Sequence, residues 1–470
     1  MHKGFLLLGL LLSLNSKAQS GAGTTYPYVA TDSIITAISM KYEIRSWLHQ
    51  VIMGKNYRET WSTPVKLPVF YLSASGLIVK KLGGGQQTKS LRLTDANGKE
   101  WVLRTVNKTV KNAIPSILTH TPVETIVQDM ISASYPYSPL VVAELAKAAD
   151  IIAPAPQMFF IAEDKALGEY NAIFANTVCL LEEREPTPDG TDTDDTEKIK
   201  RKIREENDHL VLQKKVLKAR LLDMLVGDWD RHADQWRWDE IDSANTEYYY
   251  AIPRDRDNAL FYSEGLLPAI AKLSFMSHIT GFKKSSSGLK QLNWKSHHFD
   301  KVFLNELSAQ EWEDAIREFQ REMSDAVIDS SVKKIPEPVY SSDGALISSK
   351  LKSRRDGLLK NGMRYYQYLS KLVKVIGTNE EELFVVSGRD DKLLITVYRL
   401  EKKNRYKMYE RLFDRSETHS VHLYGLKGDD QFVMEESARP GIRLRMYGNE
   451  GKDQYDIRGR TKNKIIDDEK

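Results

Sequence analysis

Between Leu221 and Trp238 the chain reads LLDMLVGDWDRHADQWRW. An apolar helix end runs into Gly227, followed by three carboxylates (Asp228, Asp230, Asp234), the pair Arg231–His232, and an alternating strand with Trp236 and Trp238. A second acidic turn closes the tyrosine-rich segment EYYYAIPRDRDNALF, with Asp255 and Asp257. Two acidic loops joined by a short hairpin suit phosphoryl transfer. One carboxylate orients the attacking hydroxyl while the other loop holds Mg²⁺ on nucleotide phosphates. Aspartate is also an ordinary residue of helix ends and turns, where it caps free N–H groups. Capping alone does not call for several carboxylates together, because like charges repel unless a cation neutralises them.

Other elements must hold these loops. From residue 76 the pattern GLIVKKLGGGQQTKSLRLTDANGKEWVLRTVNK predicts a strand, a glycine loop (Gly83, Gly84, Gly85), a strand, a turn at Ala96-Asn97-Gly98, and a strand ending near Val106. Asn-Gly between alternating strands is a strong hairpin signal. Helices are expected near 122–133 and 138–149, then apolar β-type runs. Residues 184–206 are polar and read as an exposed or disordered insert. Apolar residues at 210, 217, 221 and 225 mark one face of the helix leading to the first acidic loop. Residues 305–376 read as helical and the remainder as β-rich.

The expected organisation is a signal peptide (1–18), an N-terminal extension (19–70) and a β-rich, N-lobe-like region (71–183). The polar insert (184–206), a helical C-lobe-like region (207–378) and a β-rich C-terminal module (379–470) follow. The fold class is α+β, a bilobal, kinase-like core followed by the small β module.

Hydrophobic residues make up 41% of the 470 residues and charged residues 28%, as in a globular chain with a sizeable core. A net charge of +3 without a basic helix or aromatic–basic platform argues against nucleic-acid binding. The start, MHKGFLLLGLLLSLNSKAQS, has a short apolar run and a small-x-small site at Ser16 and Ala18, the form of a cleavable secretory peptide. No later segment is apolar and long enough to span a membrane. The single cysteine, Cys179, lies in an apolar run and reads as a packing residue.

The segments GGGQQTKSLRL, EWVLRTVNK, IVQDMISASYPY, GDWDRHADQWRW, IPRDRDNALF and LYGLKGDDQF together resemble a bacterial envelope family. That family often lies between a calcineurin-like metallophosphoesterase and an outer-membrane β-barrel. The central motifs also resemble, more distantly, atypical kinases of the CotH, HipA and secreted Golgi casein-kinase types. The resemblance implies an exported protein, periplasmic or outer-membrane-associated, acting on an envelope protein or glycan, with outer-membrane proteins as partners. It implies Asp230 as the residue that orients or deprotonates the acceptor. It implies Mg²⁺ on Asp255 with Asp257 and Gln235 beside it, and ATP phosphates on the glycine loop and Arg104. Glu124 or Asp129 is then expected to pair with Arg104, and His232 to support its loop. Gln at 235 and Arg at 104 depart from the Asn and Lys of kinases, and Arg does not simply replace Lys. A scaffold or pseudokinase binding nucleotide, phosphate or glycan therefore stays open beside the kinase, as does a phosphoester hydrolase.

In the C-terminal region, Gly425-Leu426-Lys427-Gly428-Asp429-Asp430-Gln431-Phe432 and Gly448-Asn449-Glu450-Gly451-Lys452-Asp453-Gln454-Tyr455 match most of a Ca²⁺-binding nonapeptide. The copies stand 23 residues apart. That spacing predicts that no stacked calcium roll forms, and it favours plain turns in a small sheet or solenoid-like module over Ca²⁺ sites.

Overall fold

The computed structural model describes residues 27–466 except 45, 85–86, 112–115, 117–118, 244, 275–277, 280, 403 and 440. The expected signal peptide lies outside the described residues.

Seven strands form the first sheet: β1 (Ser33–Thr36), β2 (Val65–Phe70), β3 (Ile78–Gly83), β4 (Ser90–Thr94), β5 (Glu100–Thr105), β6 (Gln157–Ile161) and β7 (Thr177–Glu183). Their order is β1-β2-β6-β7-β5-β4-β3, antiparallel except where β2 meets β6. Strand β7 is buried on both faces along Val178–Leu181, so this part of its sequence reads as an unbroken apolar run. Cys179 and Leu181 face a cluster with Leu91, Leu103 and Phe159, whereas Val178 and Leu180 join the main core. Cys179 is a buried packing residue, as expected. The Asn97-Gly98 turn links β4 to β5, with the Gly98 N–H donating to Asp95.

A second sheet lies beyond it: β8 (Asp194–Asp195), β9 (His209–Val211), β10 (Trp236–Ser243) and β11 (Thr246–Pro253), ordered β8-β10-β11-β9. Helices Gln213–Val226, His297–Phe303, Ala309–Glu322, Val339–Asp356 and Leu358–Ser370 pack around it in the main core. Trp236 stacks on Phe299 with ring centres 4.8 Å apart, and Trp238 packs on Phe303 at 4.6 Å. Both tryptophans are core residues.

Residues 184–206 are not a loose insert. The helix Thr196–Glu205 closes on β8, Asp195 caps its start, and Ile199 is fully buried. Only two apolar positions, Ile199 and Ile203, anchor this helix, too few to stand out against its charges.

The last strands are β12 (Leu372–Ile376), β13 (Glu382–Arg389), β14 (Lys392–Glu401), β15 (Asn404–Phe413), β16 (Ser420–Leu426), β17 (Gln431–Met434), β18 (Arg443–Asn449), β19 (Gln454–Ile457) and β20 (Asn463–Ile466). The helix expected to run through residue 376 stops at Ser370. Leu372–Ile376 pairs with β16, burying Val373 and Val375 in alternation. β12, β16, β18 and β20 form one parallel sheet; β13, β17 and β19 form another, extended by the antiparallel pair β14–β15. This is a solenoid with its own apolar core. The two Gly/Asp copies do stack, in register, at the 23-residue offset: Asp430 donates its N–H to Asp453. Each 23-residue turn makes two strands and a full circuit, so the turns lie in a solenoid-like module.

Candidate active site in the cleft between the sheets

The first acidic loop begins where helix Gln213–Val226 ends. Gly227 takes a left-handed conformation (φ 69°), which turns the chain at low cost because glycine lacks a Cβ. Arg354 fixes this helix end by donating to the carbonyls of Met224 and Leu225, both at 2.6 Å. Beneath the loops lies Asp223, fully buried, which pairs with Arg220, Arg231 and Arg256. Arg231 comes from the first loop and Arg256 from the second, so one carboxylate fastens both. Arg231 also donates to the carbonyl of Arg254 at 2.5 Å and to that of Asp255 at 3.2 Å.

Each of the three carboxylates of the first loop has a separate place. Asp228 is buried, accepts the Asp230 N–H at 3.2 Å, and has its pKa raised to about 7 by burial. Asp234 points into solvent, 88% exposed. Asp230 reaches the second acidic loop through Asn258. It meets Lys295 Nζ at 2.5 Å and Asn258 Nδ2 at 3.3 Å. His232 contacts Asp234 (3.6 Å) and Gln235 (3.4 Å) within its own loop.

The second loop brings Asp255, itself left-handed (φ 54°), opposite Arg104 of β5 at 3.6 Å. Asp257 lies 2.6 Å from Lys108, whose side chain is almost wholly buried. Asn258 links Asp257 (2.8 Å) to Asp230. The two second-loop carboxyls differ electrostatically. Burial and the neighbouring Asp255 push Asp257 up to about 6. Burial opposes ionisation of Asp255 too, but Arg104 and Lys108 outweigh it and lower its pKa. Arg104, Lys108, Thr88, Glu182, Asp255 and Asp257 line one cleft.

The glycine loop bends between β3 and β4. At Gly84 (φ +114°) a Cβ would sit 2.5 Å from the Thr88 carbonyl oxygen, so the turn requires glycine. Gly83 pairs with Ser90 at the end of the hairpin, and Gly85 lies outside the described residues. The expected helix partners of Arg104 are engaged elsewhere. Asp129 forms a two-pronged pair with Arg58, and Glu124 accepts the His120 N–H at 2.5 Å. Arg104 instead pairs with Glu182 of β7 at 3.6 Å. Gln235 Nε2 approaches Asp255 at 3.5 Å, but its Oε1 accepts from Arg231. Its amide oxygen is thus turned to Arg231 and its amide nitrogen to Asp255.

Lys108, Lys295, Asn258 and Glu182 escaped the sequence reading. Lys108 and Asn258 were within reach, in the runs LRTVNK and DRDN that carry Arg104 and Asp257. Nothing in the sequence links Lys295 to Asp230.

Among the described residues, the acidic loops do not form a three-carboxylate metal cluster; that closeness occurs only at Glu206, Asp208 and His209. Asp255 and Asp257 do fit a metal shared with a ligand, since Mg²⁺ in nucleotide sites takes one or two carboxylates plus phosphate oxygens and water.

Neither protein-family models nor curated proteins give a match to this chain. Among solved structures the chain is similar to the Helicobacter pylori proinflammatory kinase CtkA (11% identity, TM-score 0.35, covering 63% of this chain and 98% of that one). It is also similar to the Rio2 kinase–ADP/Mg²⁺–phosphoaspartate complex from Chaetomium thermophilum (12% identity, TM-score 0.29, covering 60% and 71%).

Proposed function

We propose that the protein is an exported, kinase-like phosphotransferase that moves a phosphoryl group from Mg·ATP to a hydroxyl of an envelope protein or glycan. The observation that carries this reading is the apposition of carboxylates and cations at the two loops, which Asn258 joins. Asp230, Asp255 and Asp257 on two loops face Lys295, Arg104 and Lys108 from separate parts of the fold. Asp255 and Asp257 would hold Mg²⁺, which supplies charge neutralisation on the phosphates. Arg104 and Lys108 would take phosphate oxygens as these displace their present carboxylate partners. Asp230 would orient the acceptor hydroxyl and receive its proton, with Asn258 holding its carboxylate in place.

Calorimetric titration of Mg·ATP tests the reading. Wild type should bind only when Mg²⁺ is present, Asp255→Ala should not bind, and Asp230→Asn should bind but not transfer. Absence of binding to wild type removes the kinase. Export is tested separately, since N-terminal sequencing of the natural protein should begin near Gln19, and recovery of Met1 rejects it.

A second reading, a non-catalytic binder of nucleotide, phosphate or glycan, is favoured by one observation. Asp230 is already paired with Lys295 at 2.5 Å. Binding without transfer in wild type would select it.

A further inference from the structure

A second constellation lies away from the cleft, where helix Thr196–Glu205 turns into β9. Glu206, Asp208 and His209 each bring one ligand atom to within 4.8 Å of the others. The imidazole is oriented from behind. Tyr249 Oη lies 3.0 Å from His209 Nδ1, 2.5 Å from Glu247 Oε2 and 3.2 Å from Lys202 Nζ. A phenol has one proton, and here it is given to Glu247. Lysine can only donate. The Tyr249 oxygen must therefore accept from His209 Nδ1–H.

With Nδ1 engaged in this way, Nε2 is the ring nitrogen turned toward the carboxylates, on a side chain only 9% exposed. It faces Glu206 Oε2 at 3.4 Å, Asp208 Oδ1 at 3.4 Å and Glu247 Oε2 at 3.6 Å. Asp208 Oδ1 is itself buried without a hydrogen-bond partner. A ring nitrogen and anionic oxygens at these distances share a cation, either a proton on Nε2 or a metal ion. Tetrahedral ligation at bond lengths of about 2.1 Å places neighbouring ligand atoms about 3.4 Å apart. The nitrogen–oxygen separations to Glu206 and Asp208 match this.

We propose that Glu206, Asp208 and His209 bind a divalent transition metal of the Zn²⁺ class, with a fourth position open to solvent. One imidazole with two carboxylates suits such an ion, and the Glu247–Tyr249–His209 chain is the outer support that orients a ligating imidazole. Arg399 approaches the other Asp208 oxygen, Oδ2, at 3.9 Å, leaving Oδ1 to the metal. The same segment touches the solenoid: Asn207 Nδ2 donates to Glu382 at 3.3 Å, and the Asn379 N–H donates to Arg204 at 2.7 Å. Metal binding would stiffen the join between core and solenoid, independently of the cleft.

Titration of the metal-free full chain with Co²⁺, read by visible ligand-field absorption, tests the proposal. One equivalent should give the intense band of a four-coordinate site, and Zn²⁺ should abolish it. His209→Ala should lose the band, and Tyr249→Phe should weaken binding by about tenfold. Glu206 is 60% exposed, so Glu206→Gln leaves the fold intact and should still lower affinity by tenfold or more. No band in wild type, or equal affinity in wild type, His209→Ala and Glu206→Gln, overturns the site. Mg·ATP binding in the cleft should be the same in Glu206→Gln as in wild type, so failure here is separable from failure of the kinase reading.

Discussion

The cleft and the solenoid both bury acidic side chains close together, yet they neutralise them by different means. At the two acidic loops, cations from other elements face the carboxylates: Arg104 on Asp255, Lys108 on Asp257 and Lys295 on Asp230. In the solenoid, Glu382, Asp430 and Asp453 occupy equivalent places on successive turns and each is met by a backbone donor, with uncharged side chains of Thr378 and Asn207 added at Glu382. Asp430 accepts the Glu382 N–H, Asp453 accepts the Asp430 N–H, and Thr378 donates to Glu382. A Cβ on Gly425 or Gly448 would collide with the carboxyl of Asp430 or Asp453, which explains why the Gly/Asp pattern recurs. Charged partners that a ligand can displace make a site. Backbone partners that nothing displaces make a scaffold.

The largest effect that separates the two regions is expected at Asp255. Asp255→Ala should remove Mg²⁺-dependent ATP binding, by a factor of at least about 100 in calorimetry, because the metal loses its main anionic ligand. Circular dichroism should stay that of wild type. Unfolding instead would place Asp255 with the scaffold carboxyls.

Next comes Asp230→Asn, which should slow transfer by about 10²–10⁴ while leaving ATP affinity within about twofold, as for a group acting at the transition state. Radiolabel transfer compared with binding isotherms measures both. An equal loss of binding would mean that Asp230 holds ligand and orients nothing.

The solenoid should respond to pH instead. Burial raises Asp430 to about 8 and Glu382 to about 7. Groups raised in the folded state favour folding fully below their unfolded values near 4, and that contribution is lost as pH rises through 7 and 8. The melting temperature of the solenoid transition should therefore fall between pH 6 and 9, and Asp430→Asn should flatten the slope. A transition that rises over this range contradicts the assignment. In the cleft, Asp255 runs the other way: its lowered pKa gives stability present above the unfolded value and lost on acidification.

The smallest effect is expected at Lys295, which is 36% exposed. Pairs this open contribute about 0–1 kcal/mol to stability, so Lys295→Met should barely move the melting temperature. It should still alter transfer severalfold by freeing Asp230. A rise would show that Lys295 restrains the site, and a fall that it assists.

Much of this was legible beforehand, for local reasons. The Asn97-Gly98 hairpin, the glycine bend at Gly84 and the core tryptophans follow from turn chemistry and alternation within a few residues. The acidic loops were readable because Asp230, Asp255 and Asp257 fall beside recognisable turns. What stayed hidden is long-range. Lys295 reaches Asp230 through the packing of separate segments, and Asp129 goes to Arg58, remote in sequence, instead of Arg104. The strand Leu372–Ile376 was concealed because LVKVI follows an amphipathic helix without a break. Its strand state depends on β16, which lies about 50 residues further on.

The register of the solenoid sets a rule for its length. Hydrogen bonds from one circuit to the next join residues 23 apart, as between Asp430 and Asp453. Where the hairpin β14–β15 is added, the offset grows to 48, yet Glu382 still meets Asp430. Extra chain is accommodated when it leaves the circuit and returns to the same point as a self-paired excursion. An added segment that does neither would slide every inward carboxyl off its glycine, and because strand faces alternate, a slip of one residue would turn the apolar core outward. The module behaves as a gauge. It tolerates whole circuits or looped-out excursions, and it rejects anything in between.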